Sequence, residues 1–189
     1  MSTGHLIIIS GPSGAGKGTL VKELVERLPD VWVSVSATTR PPRPREIDGV
    51  HYFFLTNEEF DARLAAGEFL EWAEVHGNRY GTLRGPVERR TAHGMEVILE
   101  IDPQGAMQVK QAMPGAVLVF IVAPSKEELV RRLAKRGSET AEEVETRMRT
   151  AERELSLVGT YDFVVVNDDV RRATDELVSI IESLARKED

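Results

Sequence analysis

Apolar and polar positions along the chain follow two rhythms. A short apolar run, His5 to Ser10, leads into a glycine-rich stretch, after which Leu20, Val21, Leu24, Val25 and Leu28 keep one helix face apolar until Pro29 ends it. Further runs stand at Glu96 to Ile101, Val117 to Val122 and Phe163 to Val166, the pattern of parallel strands covered on both faces. Helical patterns lie between them, two opened by the capping-box pairs Ser125 with Glu128 and Thr140 with Glu143. The last helix, about Arg171 to Ala185, aligns Ala173, Leu177, Ile180, Ile181 and Leu184 on one side. Strand and helix alternating in this way predict an α/β fold with a doubly wound parallel sheet as its core.

Two segments break the rhythm. From about 35 to 83 the pattern turns into short aromatic-rich strands, a Pro-rich loop and one short helix introduced by Thr56 and Glu59, which predicts an inserted subdomain. From about 125 to 158 two charged helices meet at Gly137 and Ser138 with little apolar surface, as in a mobile lid. The core of a single domain, 1–189, is then left to about 1–34, 84–124 and 159–189.

Composition narrows the function. With no Cys, disulfides, thiolate catalysis and cysteine zinc sites are excluded, and His5, His51, His76 and His93 lack the i, i+4 spacing of a helical metal site. A net charge of -7 argues against a nucleic-acid binder. The longest apolar run, Ala116 to Ala123, is far short of a membrane span, and Leu6 to Ile9 runs into glycines rather than a cleavage site, so a cytoplasmic protein is expected.

Five clusters carry candidate chemistry. The stretch GPSGAGKGT, Gly11 to Thr19, fits G-x-x-x-x-G-K between a strand and a helix, where backbone N–H groups, the helix N-terminus and Lys17 converge on phosphate oxygens. Arg40, Arg43 and Arg45 stand among prolines that stiffen the backbone. They read as a second phosphate site, as a solvated basic loop or as a Pro-rich ligand for a partner's aromatic groove. Around GEFLEWAEVHGNRYGT, Glu71, Glu74, Tyr80 and Thr82 offer a carboxylate beside hydroxyls, a set that complements the donors and acceptor of guanine but not adenine; an exposed acid is the plainer reading of Glu71 or Glu74. Arg132 and Arg136 share a helix face, and Arg147 begins the next helix, so the three could converge on one anion or merely pair with nearby acids. Glu100 and Asp102 end a strand where α/β sheets place ligands.

Taken together, GPSGAGKGT, SVSATTRPPRP, GVHYFF, FLEWAEVHGNRYGT, DPQGA, PSKEELVRRLAKRG and VVVNDD resemble the guanylate kinase family nearly end to end. The resemblance implies transfer of the terminal phosphoryl group of ATP to GMP, with magnesium, on a P-loop core carrying a GMP-binding insertion and a helical lid. It implies that Gly11, Pro12, Ser13, Gly14, Ala15, Gly16, Lys17, Gly18 and Thr19 cradle ATP. Lys17, Arg132, Arg136 and Arg147 would surround the transferring group, with Arg40 also catalytic and Asn167 near the adenine. Ser36, Glu71, Thr82 and Asp102 would enclose guanine, while Arg40, Arg43, Tyr52 and Tyr80 grip the GMP phosphate; dGMP is left open as an acceptor.

Three residues depart from the common pattern: Gly18 for Ser, Glu100 for Asp and Arg45 for Gly. Since the acceptor phosphate is already a nucleophile, no general base is required. Magnesium held mainly by phosphates and water tolerates the missing loop hydroxyl, with Glu100, Asp102 and Thr19 placed to hold its waters. The insertion and lid are expected to swing inward once both nucleotides are bound. Two other readings compete: a kinase of AMP or a pyrimidine monophosphate, against which Glu71 and Thr82 argue, and a partner-binding module without catalysis, which would not need the loop, Lys17 and the lid arginines together.

Overall fold

A computed structural model describes residues 3–75, 77–134 and 141–186. The chain begins with β1 (Leu6–Ser10), α1 (Lys17–Arg27), β2 (Trp32–Val33), β3 (Ala37–Thr38), β4 (Phe53–Phe54) and α2 (Asn57–Ala65). It continues through β5 (Phe69–Val75), β6 (Asn78–Leu83), α3 (Arg84–Ala92), β7 (Val97–Glu100), α4 (Pro103–Ala112) and β8 (Val117–Val122). After α5 (Lys126–Ala134), α6 (Ala141–Leu155) and a 3-10 turn come β9 (Phe163–Val166) and α7 (Val170–Ala185).

The main sheet runs β2-β7-β1-β8-β9, all parallel. Its apolar runs serve both faces by simple alternation. Ile7 and Ile9 of β1 pack with Leu20, Val21 and Leu24 of α1 and with Ala173, Leu177 and Ile181 of α7. Leu6 and Ile8 point the other way, onto Val87 of α3 and Ala106 and Val109 of α4. The stripe expected on the last helix is buried as a unit. Because the chain passes from β7 to β8 across β1, the loops after β1 and β7 diverge and leave a crevice at the C-terminal ends of those strands.

The smaller sheet runs β4-β3-β6-β5 and is mixed: β3 pairs with β4 in parallel and with β6 antiparallel. Phe60, brought by α2, stacks on Phe69 at 4.4 Å and closes a separate core with Ala37 and Leu83. The capping box that starts α2 is complete: Glu59 N–H donates to Thr56 Oγ1 at 3.1 Å and Thr56 N–H to Glu59 Oε2 at 2.7 Å.

The helices α5 and α6 depart from the sequence reading in three respects. Ser125 Oγ does accept from Glu128 N–H, but the Glu128 carboxylate turns to Arg131 and Arg132 at 2.7 Å each, because guanidinium groups outcompete a neutral N–H. Leu129 and Leu133 are buried with Ala151, so the pair has a core of its own. Arg147 lies well inside α6, which starts at Ala141. Arg136 and the junction at Gly137 and Ser138 lie outside the described residues, as do Thr140 of the second capping pair and His76.

Candidate active site

The glycine stretch folds as a tight loop between β1 and α1, and its shape explains three of its glycines. Gly11, Gly14 and Gly16 have φ of 142°, 86° and 92°, in the region that side chains disfavour. Space is also lacking. A Cβ on Gly11 would stand 2.2 Å from the carbonyl oxygen of Ile121, and one on Gly16 would stand 2.3 Å from Asn167 Nδ2. Leu129 and Leu133 of α5 press on Gly14, so the helical pair sits directly against the loop. Lys17 folds back over it, donating from Nζ to the carbonyls of Gly11 at 2.6 Å and Pro12 at 3.2 Å.

Arg132 and Asn167 share the other side of the loop. Asn167 Nδ2 donates to the Ala15 carbonyl at 2.8 Å, and Arg132 donates to the carbonyls of Ala15 at 3.4 Å and Asn167 at 3.0 Å. Asn167 is thus buried against loop backbone. Arg147 lies half-buried on α6.

A cleft of about 580 Å³ opens over the loop, lined by Gly11, Ser13, Gly14, Gly16, Lys17, Gly18 and Thr19 together with Glu100, Asp102 and Glu154. Gly18 faces Glu100: a Cβ there would lie 3.4 Å from Glu100 Oε1. Burial pushes the Glu100 carboxyl up, opposed by the charge of Lys17. The Ser10 hydroxyl, buried at the end of β1, faces that of Tyr161. Among the described residues no three acid or imidazole side chains are close enough to chelate a metal alone. Oxygen donors of this kind suit magnesium that arrives with phosphate and keeps its water.

A second group of side chains gathers where β5 meets α4. Gln108 of α4 clamps the Trp72 backbone through its Oε1 and Nε2, each at 3.2 Å, which sets Glu71 beside α4. Glu71 is only 7% exposed, not the surface acid of the plainer reading, and accepts from Thr82 Oγ1 at 2.7 Å. Its carboxyl is pushed up to about 7, chiefly by burial and further by the charge of Asp102, against the Thr82 hydrogen bond. Gly105 leaves room for it, since a Cβ there would stand 3.0 Å from Glu71 Oε2. Asp102 caps α4 by accepting from Gly105 N–H at 2.8 Å, which holds it in the loop cleft and near enough to Glu71 for its charge to act there.

The basic loop contributes a third group. The Arg40 guanidinium lies 5.4 Å from the Tyr52 ring centre, and Tyr52 meets Tyr80 edge-on at 6.1 Å. Both Arg40 nitrogens donate to Glu46, at 2.9 and 3.0 Å, and Arg43 N–H donates to the same carboxylate at 2.7 Å. This holds the Glu46 carboxyl below its ordinary value. The sequence reading passed over Glu46, although an acid three residues beyond Arg43 was a signal for such a fork. Arg43 itself is exposed, and Ser36 accepts Phe53 N–H at its backbone carbonyl, 2.9 Å away. Arg45 is the one described non-glycine residue with positive φ, 75°, a conformation that the glycine expected there from the resemblance would adopt without strain.

Comparison with known proteins places the chain in a family. A family model described as guanylate kinase matches residues 3–184. A guanylate kinase of Desulfitobacterium hafniense is 54% identical over 94% of this chain and 89% of its own length, and one of Thermobifida fusca is 54% identical over 94% and 90%. The crystal structure of guanylate kinase from Anaplasma phagocytophilum superposes with a TM-score of 0.77 at 34% identity, covering 97% of this chain and 87% of that one. The chain belongs to the guanylate kinase family.

Proposed function

We propose that this ATP:GMP phosphotransferase works by alignment and charge neutralisation between two anion sites on either side of Asp102. The loop Gly11 to Thr19 would cradle the ATP phosphates, with Lys17 moving from its loop carbonyls onto the β- and γ-oxygens. Arg132, Arg136 and Arg147 would approach from the helical pair, and Asn167 would support the loop on the adenine side. Thr82 and Asp102 with Ser36 would enclose guanine, and Glu71 would accept from its N1 and N2 hydrogens. Arg40, Arg43, Tyr52 and Tyr80 would take the GMP phosphate, for which Glu46 is the present stand-in on Arg40. Residues 35–83 then form the GMP-binding insertion and 125–158 the lid.

Magnesium, when bound with ATP, would lower the negative charge on the oxygens of the phosphoryl group in transfer. Glu100, Asp102 and Thr19 are the residues placed to orient its waters, and they line the same cleft. Each protein group here orients, neutralises or excludes water, and none abstracts a proton. The observation that carries the reading is the buried Glu71–Thr82 pair beside Asp102, at the edge of a phosphate cleft. ADP release measured with ATP and each of GMP, AMP, UMP and CMP tests it: turnover should be confined largely to GMP. Equal rates with AMP would refute the guanine assignment.

The same geometry bears on Gly18. Its surroundings accept a Cβ at ordinary contact distance, and a hydroxyl there would reach Glu100. Gly18→Ser is therefore expected to keep kcat within about threefold, an effect of under 1 kcal/mol on the barrier. A collapse of turnover with unchanged thermal melting would show that the loop hydroxyl is excluded for a reason the cleft geometry does not contain.

A further inference from the structure

Glu154 belongs to none of the groups assigned above, yet it lines the phosphate cleft from α6, opposite Gly11 to Thr19. It is half-buried, and its carboxyl feels the charges of both Lys17 and Asp102. Its surroundings are unusual for an anion site. Among the described residues that line the cleft are three carboxylates, Glu100, Asp102 and Glu154, and one cation, Lys17, with Arg132 held on the far side of the loop at the Ala15 carbonyl. Two of the carboxylates are fixed on the sheet edge and on the start of α4; Glu154 alone is carried by the helical pair.

A triphosphate carrying about four negative charges would be repelled by this lining unless a dication came with it. The loop's glycines and N–H groups, with the Lys17 ammonium folded over them, mark the same cleft as a place for a polar ligand rather than an ordinary acidic surface. We propose that Glu154 couples the helical pair to the metal-loaded form of the nucleotide: it repels bare ATP and accepts a hydrogen bond from a water of the magnesium-bound form. The inference rests on the loop being the ATP site. It assigns the residue a positioning and selecting role, acting on the metal's water and on phosphate charge, with no step in bond making.

Calorimetry with adenylyl imidodiphosphate, which is not turned over, tests it. The affinity is measured with excess magnesium and with excess chelator, for the unaltered protein, for Glu154→Gln and for Glu145→Gln, an exposed residue of the same helix. The expected result is that Glu154→Gln narrows the ratio of the two affinities by about tenfold. Bare nucleotide should bind more tightly and the magnesium form less tightly, while Glu145→Gln changes neither. An unaltered ratio overturns the proposal, and so does an equal loss in both conditions, which marks a structural role for Glu154. If the unaltered protein binds neither form, the assignment of the loop to ATP fails, and this inference with it.

Discussion

Replacing Glu71 with Gln should make the protein more stable at pH 8 and at the same time remove its hold on GMP. The Glu71 carboxyl is shifted from an ordinary 4.5 to about 7, mainly by burial. Between those values the folded protein keeps a proton that the unfolded chain has released. Stability from this group is therefore complete below pH 4.5 and is lost as the pH rises through 7. Above that, the buried carboxylate costs on the order of 2 to 3 kcal/mol. Gln avoids the cost while still accepting from Thr82 Oγ1.

Melting temperature should accordingly rise by about 5 °C at pH 8 and change little at pH 4.5. GMP affinity should fall by roughly a hundredfold, since the amide turns a donor toward the guanine donors that the carboxylate would accept from. The unaltered protein should also release protons on binding GMP near pH 6.5, visible as a binding enthalpy that depends on the buffer. A Glu71→Gln protein that melts earlier at pH 8, or that binds GMP as before, would show that this acid has another purpose.

Gly16→Ala should abolish ATP binding and leave the GMP pocket working. At φ 92° an alanine costs roughly 1 to 2 kcal/mol, and its methyl would meet Asn167 Nδ2 at 2.3 Å. Relief requires Asn167 to give up the Ala15 carbonyl, the contact that fixes the loop from behind. The first turn of α1 begins at that point, so the displaced backbone is the part that would face phosphate. Affinity for an ATP analogue should drop by a hundredfold or more, with GMP affinity unchanged within about threefold, on the order of 0.7 kcal/mol. Equal loss of both nucleotides would mean that the two sites do not fold independently.

Much of the core was legible because a single cause, apolar periodicity, decided it. The run Val117 to Val122 is a strand with those limits, and the stripe Ala173, Leu177, Ile180, Ile181 and Leu184 is buried on α7. The helical pair was harder, since Leu129 and Leu133 stand among charges that outnumber them, and only the loop glycine beneath explains why they matter. Site residues divide in the same way. Lys17 and the glycines announce themselves, because few other structures need that spacing.

Only the family resemblance singled out Glu71 from Glu74, because its burial depends on Gln108 and Gly105, more than thirty residues away. Arg45 gave no sign of its backbone conformation beyond the glycine common at its place. Glu154 left no trace, being one acid among many on a charged helix.

The proposed pair of anion sites on either side of Asp102 requires that one molecule hold both nucleotides together. Calorimetric titration of GMP into protein already saturated with adenylyl imidodiphosphate and magnesium tests this most directly. The expected result is uptake of one further mononucleotide per chain without release of the first. Displacement of the ATP analogue by GMP, mole for mole, would contradict it and reduce the two pockets to one.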